Sequence, residues 1–227
     1  SGGSKSVAVS IRDTSVTEWT RSSLAGIAKI KANNPSNTDI RLHLLYMDGD
    51  VLAADPADAI QVSNVEWIDI GGSIYGNIIA RNDANPPPQD TDMHITVDGD
   101  LVDAEIINKH GGIASLRVTG DATAGTDVWS SGTIQEIKID GSFEGRIGNN
   151  GEGLSGHPDV ELLSVDGDFV GTGSMTMNSL DTLDVGGDFD ADIAVSSTMA
   201  TLGAYTIGGE MAAGASISLP SSGLSGQ

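Results

Sequence analysis

Leu116-Arg117-Val118-Thr119-Gly120-Asp121 and Ile137-Lys138-Ile139-Asp140-Gly141-Ser142-Phe143-Glu144-Gly145-Arg146-Ile147 are two copies of one pattern, apolar-x-apolar-x-Gly, then an acid or Ser, then apolar-x-small. The pattern returns as Leu163-Ser164-Val165-Asp166-Gly167-Asp168-Phe169-Val170-Gly171 and as Leu183-Asp184-Val185-Gly186-Gly187-Asp188-Phe189-Asp190-Ala191-Asp192-Ile193. Weaker copies surround Gly49 with Asp50, Gly72 with Ser73, Gly99 with Asp100 and Gly209 with Glu210. The glycines at 49, 72, 99, 120, 141, 167, 187 and 209 are therefore 23, 27, 21, 21, 26, 20 and 22 residues apart. A base period near 21 with two insertions accounts for the series, and a fixed period of this length marks a repeat architecture.

Apolar residues alternate before each Gly and again after it, as in Phe143, Gly145 and Ile147, so two strands of period 2 meet at a bend. One such unit cannot bury its own apolar face, whereas stacked units line up their inward residues in continuous parallel sheets. The expected fold is all-β: a single right-handed parallel β-helix, or β-solenoid, of about eight irregular coils near 21 residues with an N-terminal capping segment. A βαβ arrangement needs amphipathic helical stretches, and from residue 92 onward the gaps are too short and Gly-rich for them. Glycine is expected at the corner because it reaches positive φ, and the following Asp or Ser because it accepts hydrogen bonds from nearby amides. Gly76, Ala124, Gly145, Gly171, Ala191 and Ala213 are expected to keep the coil interior narrow.

The chain has 227 residues, 38% of them hydrophobic, with 30 Gly and only nine aromatics (three each of Trp, Tyr and Phe). A core of Ile, Val, Leu, Ala and Gly suits narrow layered β architecture. The net charge of −21 argues against duplex nucleic acid or an anionic membrane surface, both of which need Lys and Arg. Cysteine is absent, which removes disulfides, thiolate metal sites and thiol nucleophiles. No run of about 18 apolar residues predicts membrane insertion.

Residues 1–39 fall outside the repeat and read as a basic leader, with a short helix expected between Thr14 and Lys31. Through residue 41 the leader holds Lys5, Arg12, Arg21, Lys29, Lys31 and Arg41 against Asp13, Glu18 and Asp39, a net of +3 that leaves −24 for the remainder. It is expected to cap the solenoid's first open edge. The sharper expectation is that Lys5, Arg12, Arg21, Lys29 and Lys31 dock on the acidic body of another copy, head to tail. The solenoid itself is expected over 40–220, followed by a flexible tail at 221–227. The insertions, Arg81 to Asp92 and Asn149 to Asp159, are expected to be projecting loops.

Chemistry-bearing candidates are few. Asp50, Asp100, Asp121, Asp168, Asp188 and Glu210 follow corner glycines, interleaved with Ser73 and Ser142. Like charges stacked at about 4.8 Å repel by about 1 kcal/mol even in a water-like dielectric. Turn hydrogen bonds and solvent offset that; calcium bridging at Asp100, Asp121, Asp168 and Asp188 is the alternative. Asp98, Asp140, Asp166, Asp184, Asp190 and Asp192 read as outward solubility charge. Asp90, Asp92, Asp98 and Asp100 with His94, Lys109 and His110 are the one grouping an acid–base hydrolase or lyase would use. The four histidines show no metal-ligand spacing, and no catalytic residue is assigned. Trp67 and Trp129 are read as packing or loop anchors rather than sugar platforms.

The repeats resemble the β-solenoid segments of large bacterial surface and secreted proteins, including adhesins and autotransporter-like passengers. The resemblance covers roughly residues 40 to 217 and rests on units such as Ile137 to Ile147 and Leu183 to Ile193. It implies an extended extracellular scaffold or adhesive module, with other copies of itself or surface glycans as partners, and it carries over no catalytic residue. A carbohydrate-active enzyme and a calcium-stabilised binding module are the alternatives.

Overall fold

A computed structural model describes residues 5–11, 30–32, 40–52, 60–62, 65–80, 92–109, 111–148, 157–196 and 202–219. Their regular structure is entirely β, in parallel strands stacked as a solenoid. One sheet has nine strands: Lys5–Ile11, Ile40–Met47, Val65–Ile70, Met93–Val97, Ile113–Val118, Ile134–Ile139, Asp159–Val165, Ser179–Val185 and Leu202–Ile207. The second has twelve, and its main path runs Ile30–Ala32, Ile60–Val62, Ile78–Ala80, Glu105–Asn108, Ala122–Ser130, Phe143–Ile147, Phe169–Met177, Phe189–Val195 and Ser216–Ser218. Short strands Val51–Leu52, Ile74–Tyr75 and Leu101–Val102 complete it in the earlier coils.

The register reproduces the repeat residue by residue. Met47 pairs with Ile70, Ile70 with Val97, Val97 with Val118, Val118 with Ile139, Ile139 with Val165, Val165 with Val185 and Val185 with Ile207. Those offsets are the same 23, 27, 21, 21, 26, 20 and 22 as the corner spacings, so the insertions are absorbed without disturbing the stack. The inserted residues 81–91 and 149–156 lie outside the described residues.

Alternation decides what is inside. In Met93–Val97 and Phe143–Ile147 every second residue is buried, and stacking turns these positions into columns. Leu45, Ile68, Ile95, Leu116, Ile137, Leu163 and Leu183 form one of them, all at most 1% exposed. A second begins just past the corner with Val51, Ile74, Leu101, Ala122, Phe143, Phe169 and Phe189. Its three phenylalanines stack with ring centroids 5.2 and 5.5 Å apart, the rung spacing of the sheet with a lateral offset that suits aromatic faces.

Two expectations change. The corner glycines are not selected for a left-handed backbone, since positive φ among described glycines is confined to Gly76, Gly125, Gly148, Gly173 and Gly214. Their reason is close approach, set out below. Ala124 does not narrow the interior either: it is exposed, with Gly125, in a bulge that lets Thr126 face Gly145 instead. A matching irregularity falls between Val170 and Ser174.

The described parts of the leader are strands. Lys5–Ile11 pairs in parallel with Ile40–Met47, and Ile30–Ala32 with Ile60–Val62. The expected helix between Thr14 and Lys31 otherwise lies outside the described residues, as do Arg12, Arg21, Lys29 and the tail at 221–227.

Candidate functional site

The feature that organises the surface is the corner itself. From Gly99 onward each corner glycine donates its amide to the carbonyl of the one before: Gly120 to Gly99 (3.0 Å), Gly141 to Gly120 (3.1 Å), and Gly167, Gly187 and Gly209 each to its predecessor at 2.9 Å. Beside this runs a ladder made by the residue after each glycine. The Ser73 amide donates to Asp50 Oδ1 (2.7 Å), the Asp100 amide to Ser73 Oγ (3.0 Å) and the Asp121 amide to Asp100 Oδ1 (2.9 Å). The Ser142 amide donates to Asp121 Oδ1 (2.7 Å) and the Asp168 amide to Ser142 Oγ (3.2 Å). The Asp188 amide reaches Asp168 Oδ1 (2.8 Å), and the Glu210 amide reaches Asp188 Oδ1 (2.7 Å).

The ladder explains the glycines. A Cβ at Gly120 would lie 2.0 Å from Asp100 Oδ1, and one at Gly141 2.2 Å from Asp121 Oδ1; Asp50, Asp168 and Asp188 block Gly72, Gly187 and Gly209 in the same way, and a Ser Oγ blocks Gly99 and Gly167. The acid of one coil occupies the space that the glycine of the next leaves empty. Charge-assisted bonds to amides offset the repulsion between successive carboxylates. Asp and Ser alternate freely because each needs only one acceptor oxygen at that point. Among the described residues, no group of three or more His, Asp or Glu side chains is arranged to hold a metal ion. Of the second acidic set, Asp140, Asp166, Asp184, Asp190 and Asp192 are exposed, whereas Asp98 is half-buried.

A second polar column crosses the other sheet. Glu105 is in register with Asp127, and Asp127 with Arg146. The Asn77 side chain donates to Glu105 Oε2 (2.8 Å), and its Oδ1 accepts from the Glu105 amide (2.9 Å). Arg146 forks onto the buried Asp127, with Nε to Oδ1 at 2.7 Å. The hydrogen bond to Asp127 raises the Arg146 pKa above its usual value against the opposing effect of burial.

The grouping considered for acid–base chemistry takes up separate structural roles. Asp92 Oδ1 accepts from the Gly112 amide at 2.9 Å, His94 stacks on Trp67 with ring centroids 3.9 Å apart and bonds Ser115 Oγ at 3.0 Å, and Asp100 belongs to the corner ladder. Asp90 and His110 lie outside the described residues. Asp98 is close enough to Asp69 to raise that residue's pKa, behind the larger effect of burial and ahead of Asp48. Trp129 is buried with Ile79 and Ile107 in a cluster apart from the main core, while Trp67 remains 42% exposed. No protein-family model matches the chain, and no curated protein and no solved structure matches it either.

Proposed function

We propose that the chain is a structural scaffold of the bacterial extracellular type, a stiff spacer whose surface presents charge rather than a catalytic cleft. The observation that carries this reading is the unbroken corner ladder from Asp50 to Glu210, in which a backbone amide of each coil donates to a side chain of the coil before it. Its acids are engaged in holding coils together, and the outward acids are dispersed along the stack. The parallel strand pairing runs from each coil to the next, so resistance to extension builds up unit by unit. The absence of Cys and the charge of −21 are in keeping with an exposed, solvated rod.

Adhesion is the second reading, favoured by an outward column on successive coils in which Leu52 (42% exposed), Tyr75 (39%) and Val102 are in register. Two assays separate the roles. Force spectroscopy of the tethered chain should give stepwise unfolding coil by coil, and a panel of neutral and acidic polysaccharides should show no release of reducing ends. Turnover abolished by Asp98→Asn or Asp100→Asn would replace the scaffold with a carbohydrate-active enzyme.

A further inference from the structure

The corner glycines give the chain four Asp-Gly peptide bonds, which begin at Asp48, Asp98, Asp140 and Asp166. Asp-Gly is a dipeptide at which a chain readily rearranges, because a glycine amide with no Cβ beside it can close on the carboxyl group of the residue before. The turn beneath Asp48 lies outside the described residues; the other three can be compared coil by coil. Two of them have the same neighbours, Val97-Asp98-Gly99-Asp100 and Val165-Asp166-Gly167-Asp168, and their glycines lie against a serine of the preceding coil, Ser73 and Ser142. A difference in behaviour between these two belongs to the fold.

The fold treats the two glycine nitrogens differently. The Gly141 and Gly167 amides are tied to Gly120 O at 3.1 Å and to Gly141 O at 2.9 Å. Among the described residues, the Gly99 amide makes no such bond to Gly72 O. The peptide beneath it is turned: the backbone atoms nearest a Gly99 Cβ are Ser73 N (2.7 Å) and Gly72 C (2.8 Å), whereas at Gly167 the nearest is Gly141 O (2.8 Å). The oxygen of the Asp98-Gly99 peptide is distinctive as well, since it accepts the Thr119 hydroxyl at 2.6 Å. Thr119 follows the Val97 carbonyl up the stack, and the residues in the same place above Asp140 and Asp166 are Asp166 and Gly186, neither of which has a hydroxyl. A hydrogen bond to a peptide oxygen polarises that peptide and makes its N–H more acidic.

We propose that Asp98-Gly99 is a site of spontaneous isoaspartate formation, with the Gly99 nitrogen as nucleophile and Thr119 as the group that activates its peptide. The Gly99 nitrogen bonds to Asp98 Cγ, and the amide proton and the carboxyl hydroxyl leave as water, closing a succinimide. Water then adds at the Asp98 main-chain carbonyl carbon; the bond from that carbon to the Gly99 nitrogen breaks, a proton returns to the nitrogen, and the nitrogen stays on Cγ. Nothing is oxidised or reduced, water is the only co-reactant, and the mass of the chain is unchanged. The main chain is now longer by a methylene at a point without room for one, since even a Cβ at Gly99 would lie 2.5 Å from Ser73 Oγ. The bonds displaced are those from the Asp100 amide to Ser73 Oγ and from the Gly120 amide to Gly99 O, both 3.0 Å, so the reaction interrupts the corner ladder at this coil. The assignment goes beyond the scaffold reading and does not depend on it.

The test is to hold the full folded chain in warm neutral buffer and to count isoaspartate at each position by peptide mapping, with fragmentation that separates it from aspartate. Wild type is compared with Thr119→Val and with wild type unfolded in urea. In the folded chain isoaspartate should accumulate at Asp98 at least about tenfold faster than at Asp140 or Asp166, the factor that about 1.4 kcal/mol of barrier represents. Asp166 is the more exposed of the matched pair, so accessibility alone predicts the reverse order. In urea Asp98 and Asp166 should react alike, because their neighbours are the same. Thr119→Val should slow Asp98 alone, and an unchanged circular-dichroism melt checks that the variant folds; the wild-type comparison of Asp98 with Asp166 stands without it. Equal accumulation at Asp98 and Asp166 in the folded chain, no isoaspartate at Asp98, a preference for Asp98 that persists in urea, or a folded Thr119→Val chain that reacts like wild type each overturns the inference.

Discussion

Asp100 and Gly120 fit each other as lock and vacancy: the Asp100 carboxylate accepts the Asp121 amide at 2.9 Å while lying 2.0 Å from the point where a Gly120 Cβ would stand. The relationship repeats up the corner, so the Gly-acid dipeptide is selected as a contact between coils. Within a coil, the glycine need not turn left-handed at all.

Replacing a corner glycine should therefore be costly for steric reasons. In Gly141→Val the added Cβ meets Asp121 Oδ1 at 2.2 Å and Gly120 O at 2.6 Å, and one of these is backbone that cannot swing away. We expect a loss of about 3 kcal/mol, at the upper end of overpacking costs, read by urea denaturation. Gly173→Ala is the control: its φ is +91° and nothing stands within 4 Å of its Cβ, so only backbone strain of about 1 kcal/mol remains. Equal losses at the two positions would show that conformation, not contact, governs the corner.

The interchange of Asp and Ser along the ladder makes a second expectation. Asp121→Ala leaves the Ser142 amide without its side-chain acceptor and should cost about 1–2 kcal/mol. Asp121→Ser should recover most of it, because Ser73 and Ser142 already fill that place in their own coils. Thermal melts of the two variants decide it. A serine variant as weak as the alanine one would mean that charge is essential to the rung.

Asp69 carries the pH dependence that can be assigned a sign. Burial first, then the neighbouring charges of Asp98 and Asp48, raise its pKa above 3.8, so the folded chain penalises its ionised form. Stability from this group is present at pH below 3.8 and is lost as pH rises through the raised folded value. Asp69→Asn should accordingly melt above wild type at neutral pH, with the difference closing in acid. A variant melting lower at pH 7 would show that ionised Asp69 makes a favourable contact outweighing its burial.

How much of this was legible follows from how constant each feature is relative to the corner. Met47, Ile70, Val97, Val118, Ile139, Val165, Val185 and Ile207 all sit two residues before their glycine, so stacking the glycines aligned the whole first sheet and its inward columns. The polar column does not keep step: Asn77, Glu105, Asp127 and Arg146 fall 5, 6, 7 and 5 residues after their glycines at 72, 99, 120 and 141. Bulges such as Thr123–Gly125 take up the difference, and a fixed period cannot see them. The leader strand was hidden for a related reason. Ile11 reaches the register of Met47 across 36 residues, with an irregularity at Val7 and Ala8 and no Gly-acid corner to mark it. The steric reason for glycine was not legible, because it depends on which atom of the preceding coil points into the gap.

That hidden column is where a single charge should matter most. Asp127 is almost wholly buried, with its side chain 6% exposed, and its fork partner Arg146 is 40% exposed; the surface pair Arg117 and Glu136 is 59% and 23% exposed. Removing a buried ion's partner leaves its desolvation uncompensated, whereas an exposed pair is already screened by water. Arg146→Met should cost about 2 kcal/mol, below the full 3–5 kcal/mol of a buried pair because half the bridge is wet, while Arg117→Met should stay within about 0.5 kcal/mol. Adding Asp127→Asn to Arg146→Met should restore part of the loss, since the amide has no charge to strand. If the double variant is weaker than Arg146→Met alone, the Asp127 carboxylate is held chiefly by groups other than the guanidinium, and the column is not organised around that fork.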